Sequence, residues 1–371
     1  MAGVMRGRLV RRAAIAALAG VLALPAASAR ADAVNATLYG QMHLSFDVVD
    51  ARAPDDRRPP TSTHLSSNAS RFGLRGAEDL GSGLLAVWQI ETSVNADSGG
   101  GTIAGRETYL ALEGDWGRVK AGNFLTPYDD VLPIFGNTPT LTTSILSTAA
   151  LWAQGGVAKT SGGFDRRMPN SLRFDTADDV GLQGSVQYAL GEDPGDVAVA
   201  VVGAGLTYLN GPLEAGLAYE FNRQIRGPGL DDHAITVAAS WNFGAARVAG
   251  VYEHLRYATP LGPLTRDFAG GSVSVPAGAG VFYGFAGRAF EGRGSPLVRV
   301  GSLTGGPDSG AWQYSVSYSH PLSPRTAVYA GFVGLDNERH ASYTFAINPY
   351  TEDAPTGLKL RGFVLGAVHF F

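Results

Sequence analysis

The sequence predicts an all-β protein, one sixteen-stranded antiparallel transmembrane β-barrel over residues 34–371. Three observations lead to it. Glycine supplies 50 of 371 residues and charged residues only 17%, yet mean hydropathy is just +0.02, so the apolar residues are dispersed rather than gathered into runs. An ordinary soluble domain carries roughly 25% charge, and a membrane helix needs about 20 consecutive apolar residues. Second, stretches of strand length with period-2 alternation recur to the C-terminus. Third, the connectors come in two lengths, tight and long, as the two rims of a membrane barrel require. A hydrophobic content of 45% argues against disorder. The absence of cysteine excludes disulfides, thiolate metal sites and thiol nucleophiles.

The first element, residues 1–33, reads as a secretory signal. Arg6, Arg8, Arg11 and Arg12 precede an apolar stretch from Ala13 to Leu24, and small residues follow, with cleavage expected after Ala31 or Ala33. A membrane anchor would need a longer apolar run. Cleavage after Ala33 leaves 24 basic and 32 acidic side chains, a net charge of −8, a poor balance for binding nucleic acid.

The mature chain begins with alternation from Thr37 to Val48, with Leu38, Met42, Leu44, Phe46 and Val48 on one face and Gln41, His43, Ser45 and Asp47 on the other. Leu213 to Asn222 and His233 to Phe243 alternate in the same way. Strand starts are predicted near residues 36, 67, 83, 104, 117, 170, 181, 198, 212, 232, 245, 279, 296, 311, 325 and 358. Short connectors include 79–83, 114–117, 210–212 and 321–324; long ones span 50–66, 126–169, 259–278 and 337–357. An even number of antiparallel strands closes without an edge, as backbone burial in lipid demands. A soluble β-sandwich or solenoid also alternates. Two features favour the barrel over it. Aromatics fall near strand ends (Tyr39, Trp88, Trp116, Tyr188, Tyr208, Trp241, Tyr257, Trp312, Phe371), as interfacial girdles would place them, and the chain ends on an alternating strand.

Several blocks resemble the general, trimeric porins of Gram-negative outer membranes. Thr37-Leu38-Tyr39-Gly40 is similar to that family's first strand, and Ser70-Arg71-Phe72-Gly73-Leu74-Arg75-Gly76-Ala77-Glu78-Asp79-Leu80-Gly81 to its second strand and turn. Residues 105–112 resemble the fourth strand, Pro169 to Phe174 the strand after the constriction loop, and Val368-His369-Phe370-Phe371 the terminal strand. The resemblance covers nearly the whole mature chain and is weak in the middle third. It implies a homotrimer, with the third extracellular loop folded into the lumen.

By that resemblance the loop is the connector from Thr126 to about Pro169, far longer than an ordinary connection. Asp130-Val131-Leu132-Pro133-Ile134-Phe135-Gly136 is similar to an acidic-x-Leu-Pro-Glu-Phe-Gly motif of the enteric members. Asp130, with Asp129 beside it, takes the first acidic position, and Ile134 stands where those members have Glu. Residues 131–158 carry no charge, and Leu141, Ile145, Ala149 and Trp152 fall at helical spacing, so a short loop helix on the inner wall is expected. Opposite the loop the family sets a ladder of arginines. Arg71 and Arg106 map onto it, Arg75 shares a face with Arg71, and Arg166 or Arg167 is a further candidate. The chain has 26 Arg against 3 Lys, and charged side chains facing lipid cost about 2–4 kcal/mol at mid-bilayer, which places such arginines in the lumen.

No G-x-S-x-G, post-strand G-x-G-x-x-G or H-E-x-x-H is present. The seven histidines are scattered, and the carboxylate pairs at 55–56, 178–179, 231–232 and 352–353 fall in turns. No catalytic residue, cofactor or metal site is expected. The expectation is passive diffusion of small hydrophilic solutes and ions across the outer membrane, with mild anion preference; an outer-membrane barrel hydrolase and a solute-specific channel are the alternatives. Outer-membrane lipid, lipopolysaccharide and, during biogenesis, the barrel-assembly machinery are the expected partners. Phe371 resembles the terminal aromatic of the assembly signal, and also suits an interfacial girdle.

Overall fold

A computed structural model describes residues 36–137, 144–153, 163–177, 181–191, 199–351 and 354–371. These form a closed antiparallel barrel of sixteen strands. The first half comprises β1 (Thr37–Arg52), β2 in two pieces (Ser62–Ser67 and Arg71–Gly81), β3 (Leu84–Ser93), β4 (Thr108–Gly114), β5 (Gly117–Leu125), β6 (Arg167–Thr176), β7 (Leu182–Leu190) and β8 (Ala200–Asn210). The second half comprises β9 (Leu213–Arg223), β10 (Asp232–Asn242), β11 (Arg247–Tyr257), β12 (Leu264–Ala277), β13 (Gly280–Ala289), β14 (Ala311–Ser323), β15 (Thr326–Asn337) and β16 (Lys359–Phe370). β1 and β16 close the ring in a register running from Gln41 opposite Phe370 to Arg52 opposite Lys359. β2 breaks at Ala69, whose φ is 53°, and both of its pieces pair with β1.

Alternation sorts the two faces. On β1 the side chains of Leu38, Met42 and Phe46 are exposed on the outside, whereas Gln41, His43, Ser45 and Asp47 are buried inside. Phe72, Leu74, Ile90 and Leu110 continue the apolar outer face on β2, β3 and β4. Exposed apolar side chains around a closed barrel are what lipid solvates, and pairing satisfies every strand edge. Among the described residues no helix is long and apolar enough to cross a membrane.

The chain between β5 and β6 folds inward and packs on the far wall. Glycines there leave the room it needs. A Cβ on Gly203, Gly216, Gly331 or Gly362 would come within 2.6–2.9 Å of Pro127, Ile134, Leu146 or Ile145 respectively. Ala218, Ala234 and Ala238 are buried in the same cluster as Tyr128, Phe135, Trp152 and Phe164. These inward glycines therefore line the space that the loop occupies.

Four sequence expectations change. The connector placed at 259–278 is largely strand β12, and the strand expected near 296 reduces to a two-residue pair, Arg299–Val300 with Leu303–Thr304; the two errors cancel in the count. β12 was hidden because Leu264, Arg266 and Phe268 face the loop inside while Thr265 and Asp267 face outward, and Gly270-Gly271 blank the pattern. The loop helix lies upstream of the expected place: a 3-10 turn at Asp129–Val131 leads into a helical turn at Leu132–Phe135. Ile145, Ala149 and Trp152 are buried as expected but sit in turns and one 3-10 turn, Thr148–Ala150; Leu141 lies outside the described residues. Lastly, Tyr257 and Tyr39 leave the girdle. Tyr257 is buried against Phe164, centroids 5.5 Å apart, and Tyr39 turns inward to Glu91.

Candidate functional site

β2, the bend just before β4 and the start of β6 bring three guanidinium groups, of Arg71, Arg106 and Arg167, to one stretch of inner wall. Arg71 and Gly73 point inward from β2, opposite Ser93 and Glu91 of β3. A Cβ on Gly73 would lie 2.6 Å from the Tyr39 ring and hydroxyl, so only glycine lets that ring cross the strand. The Tyr39 hydroxyl then donates to Glu91 at 3.1 Å. Arg106 Nε donates to the other Glu91 oxygen at 2.6 Å, and Arg71 Nε lies 3.4 Å from the carboxylate. Arg167 stands 3.5 Å from Glu107, which also accepts the Leu125 N–H at 3.0 Å.

The charges are layered. The Arg71, Arg106 and Arg167 side chains are 27%, 16% and 25% exposed, whereas Glu91 behind them is 6% exposed. The carboxylate orders the arginines from behind, and the guanidinium groups face the open lumen. Arg75 lies nearer the turn that ends β2, exposed, its guanidinium 5.0 Å from the Tyr39 ring centre. Along the same wall a polar cleft of about 460 Å³ is lined by Arg118, Lys120, Arg173, Glu113 and Asp175.

The acidic residues of the loop do not form a free face opposite these arginines. Asp130 is held by Arg173 at 2.6 Å, and Arg173 also binds Asp175 at 2.7 Å. Asp129 is buried beside Asp165; burial first, and then that neighbouring carboxylate, push its pKa well above the ordinary range, which disfavours a charge on it. Arg166 donates to Asn222 at 2.8 Å and so leaves the cluster that Arg167 joins. Pro133 opens the helical turn and is exposed; Ile134, Phe135 and Gly136 are buried. Ile134 fills the space above Gly216, so this position points into the wall.

A buried ion pair anchors the loop. Glu253 of β11 and Arg266 of β12, both fully buried, meet at 2.5 Å. Glu253 accepts the Tyr128 hydroxyl (2.7 Å) and the Ala153 N–H (2.8 Å), and Arg266 donates to the Leu151 carbonyl at 2.5 Å. One pair thus grips both arms of the loop. Trp152 donates to Thr236, Tyr283 to the Phe135 carbonyl and Gln313 to the Ser147 carbonyl, at 2.6–3.0 Å. The segment between β15 and β16 also enters the barrel, with Tyr343 and Phe345 buried and Asn337 holding the Tyr343 backbone at both its N–H and carbonyl.

Of the arginines grouped from the sequence, Arg71, Arg106 and Arg167 lie on one stretch of wall and Arg166 turns to Asn222, while Glu91, Glu107, Arg173, Glu253 and Arg266 were missed. Glu91 and Arg173 carried a signal, since both stand on the inward phase of their strands. Arg266 carried none, because its strand was read as a connector.

These features have counterparts in known proteins. A family model described as Gram-negative porin matches residues 13–340. Outer membrane porin protein 32 of Delftia acidovorans is 28% identical, over 94% of this chain and 98% of its own length. The major outer membrane protein P.IA of Neisseria meningitidis serogroup C is 33% identical over 43% of this chain and 45% of its own. Among solved structures, a porin from Comamonas acidovorans described as anion-selective superposes with a TM-score of 0.74 at 24% identity, covering 91% of this chain and 99% of its own. A trimer form of OmpT from Vibrio cholerae gives 0.65 at 15% identity, over 92% and 100%. With a lumen lined by ordered charge and a loop folded inside a lipid-facing barrel, the chain belongs to the Gram-negative porins and forms a water-filled channel through the outer membrane.

Proposed function

We propose that this porin passes small hydrophilic solutes and ions with a mild preference for anions, and that Arg71, Arg106 and Arg167 form the selecting face of its constriction. Arg75 extends that face toward the turn end of β2. The observation that carries the reading is the layering: guanidinium groups face the lumen while Glu91 lies behind them. Fixed charge lining a pore biases which ions enter. On the loop side, Asp130 is paired with Arg173 and burial beside Asp165 disfavours a charge on Asp129, which leaves the facing surface weakly acidic. Pro133, Ile134, Phe135 and Gly136 set the shape of the loop, not its charge. The Comamonas porin, similar in fold, is itself described as anion-selective.

The reading extends to a secretory signal over residues 1–33, a homotrimer, contact with outer-membrane lipid and lipopolysaccharide, and assembly through the barrel machinery by way of Phe371. The barrel hydrolase and the solute-specific channel have no observation of their own in their favour.

Planar-bilayer recording across a salt gradient tests the selectivity. Wild type should give a reversal potential on the anion side, largest at low salt, where the screening length grows from about 8 to 30 Å. Arg106→Ala removes one cation and uncovers Glu91, so its reversal potential should move toward cations. A cation-selective wild type, or an unmoved Arg106→Ala, would sink the assignment.

A further inference from the structure

The polar cleft on the inner wall of β4, β5 and β6 lies apart from the constriction, at the short-turn end of the barrel, where Gly114 and Gly117 border it. Its volume of about 460 Å³ is that of a small-ligand site. Two rows of the sheet set its charges. Glu113 of β4 stands opposite Arg118 of β5, and Arg118 stands opposite Asp175 of β6. Two residues deeper, about 7 Å along the strands, Lys120 stands opposite Arg173. The first row alternates in sign. The second is wholly cationic, and like charges placed directly opposite repel.

These groups are not equally engaged. Arg173 uses all three of its nitrogens, donating to Asp175 at 2.7 Å, to Asp130 at 2.6 Å and to the Leu125 carbonyl at 3.4 Å. Arg118 Nε donates to Glu113 Oε2 at 2.6 Å. Lys120 differs from both. Among the described residues its ammonium has no hydrogen bond and no carboxylate within 4 Å. It rests instead on aromatic faces, 4.5 Å from the Phe124 ring centre and 5.3 Å from that of Tyr109, which hold a cation in place without neutralising it. At the other end of the cleft the Glu113 side chain is 33% exposed, against 12% for Asp175, and its Oε1 accepts no bond among the described residues. Lys120 and Glu113 are diagonal neighbours on adjoining strands, about 7–8 Å apart at the backbone.

We propose that this cleft is a holding station for small dipolar solutes of the α-amino acid type, with the solute carboxylate against Lys120 and its ammonium against Glu113. A carboxylate placed beside Lys120 also relieves the repulsion between Lys120 and Arg173. A plain anion gains Lys120 but meets Glu113 and Asp175, and a plain cation gains those carboxylates but meets Lys120 and Arg173. A solute that carries both charges meets the opposite sign at each end. The inference rests on the channel and not on its anion preference, which acts at the arginines of the constriction. Solutes lacking either charge pass the cleft unheld, so the channel stays general.

Current-noise analysis in planar bilayers tests this, with L-alanine as the probe, lactamide as its uncharged isostere and acetate as the anion alone. Near neutral pH, L-alanine should add concentration-dependent fluctuations to the open wild-type current, and lactamide and acetate far smaller ones. Lys120→Gln should weaken the L-alanine response about tenfold, the contribution of one charged hydrogen bond, and Lys120→Arg should keep most of it. Glu113→Gln frees Arg118 and should shift the response from L-alanine toward acetate. Heat-modifiable migration shows that each variant is folded. Equal fluctuations from L-alanine and lactamide in wild type, or an unchanged L-alanine response in Lys120→Gln, would overturn the station. If acetate matches L-alanine and Glu113→Gln alters neither response, the cleft holds plain anions and the dipolar assignment is wrong. The wild-type reversal potential, taken in the same bilayers without probe, reports on the anion preference alone, so either reading can fail without the other.

Discussion

At the scale of single residues, the constriction depends on side chains that are ordered before any solute arrives. Tyr39 and Arg106 both end on Glu91, and the Tyr39 ring reaches it across the bare backbone of Gly73. Gly73→Ala should therefore displace Tyr39, loosen Glu91 and raise open-channel noise without changing the strand count, as single-channel recording and circular dichroism would show. Asp129 supplies a pH dependence whose sign is fixed. Because its pKa is raised in the folded protein, the loop gains a negative charge only as pH climbs above the ordinary carboxylate range, about pH 4. Anion preference should fall across that climb. Stability should fall with it, since over that interval the folded state binds the proton that the unfolded chain has lost. Asp129→Asn should remove both dependences; a variant whose selectivity still tracks pH like wild type would place the titrating group elsewhere.

At the scale of elements, the inner loop is fixed by a buried ion pair rather than by its own helicity. Removing one partner of such a pair leaves an uncompensated charge and costs about 3–5 kcal/mol, whereas an apolar replacement of both is often tolerated. Arg266→Met should thus destabilise the barrel and free the arm around Leu151, giving a larger and noisier channel. The double variant Glu253→Leu/Arg266→Met should recover thermal stability but not the wild-type conductance, because Tyr128, Leu151 and Ala153 lose their polar partners in both. Recovery of both would mean that apolar packing alone holds the loop. This is also where the sequence was least legible. Strands with one face in lipid and one in water, such as β1 and β9, announce themselves by alternation. β12 does not, because its inner face packs on the loop and is apolar too, as Leu264 and Phe268 show. The arginines of β2 were legible because charge has only one place to go in a lipid-facing strand. Their partner Glu91 was not singled out, because register across strands is a property of the closed sheet.

At the scale of the whole molecule, closure rests on the terminal strand. The Phe371 N–H donates to the Gly40 carbonyl at 3.1 Å, the Gly40 N–H returns a bond at 2.9 Å, and the Phe371 ring lies over Gly40, where a Cβ would come within 2.6 Å of it. Deleting Phe371 removes the last rung of the seam and the residue proposed as the assembly signal. Heat-modifiable barrel in the outer membrane should drop while export continues; assembly at the wild-type rate would leave Phe371 as a girdle residue alone.

The inner loop also sets an order in time. Its residues lie early in the chain, yet Ile145 rests on Gly362 and Leu146 on Gly331, strands that leave the ribosome last. Contacts so distant in sequence form slowly, because chain entropy must be surrendered before they repay it. The loop therefore cannot reach its resting place until β15 and β16 stand beside it. Completion of the filter is therefore tied to closure of the barrel, since the loop's last contacts need the final two strands in place.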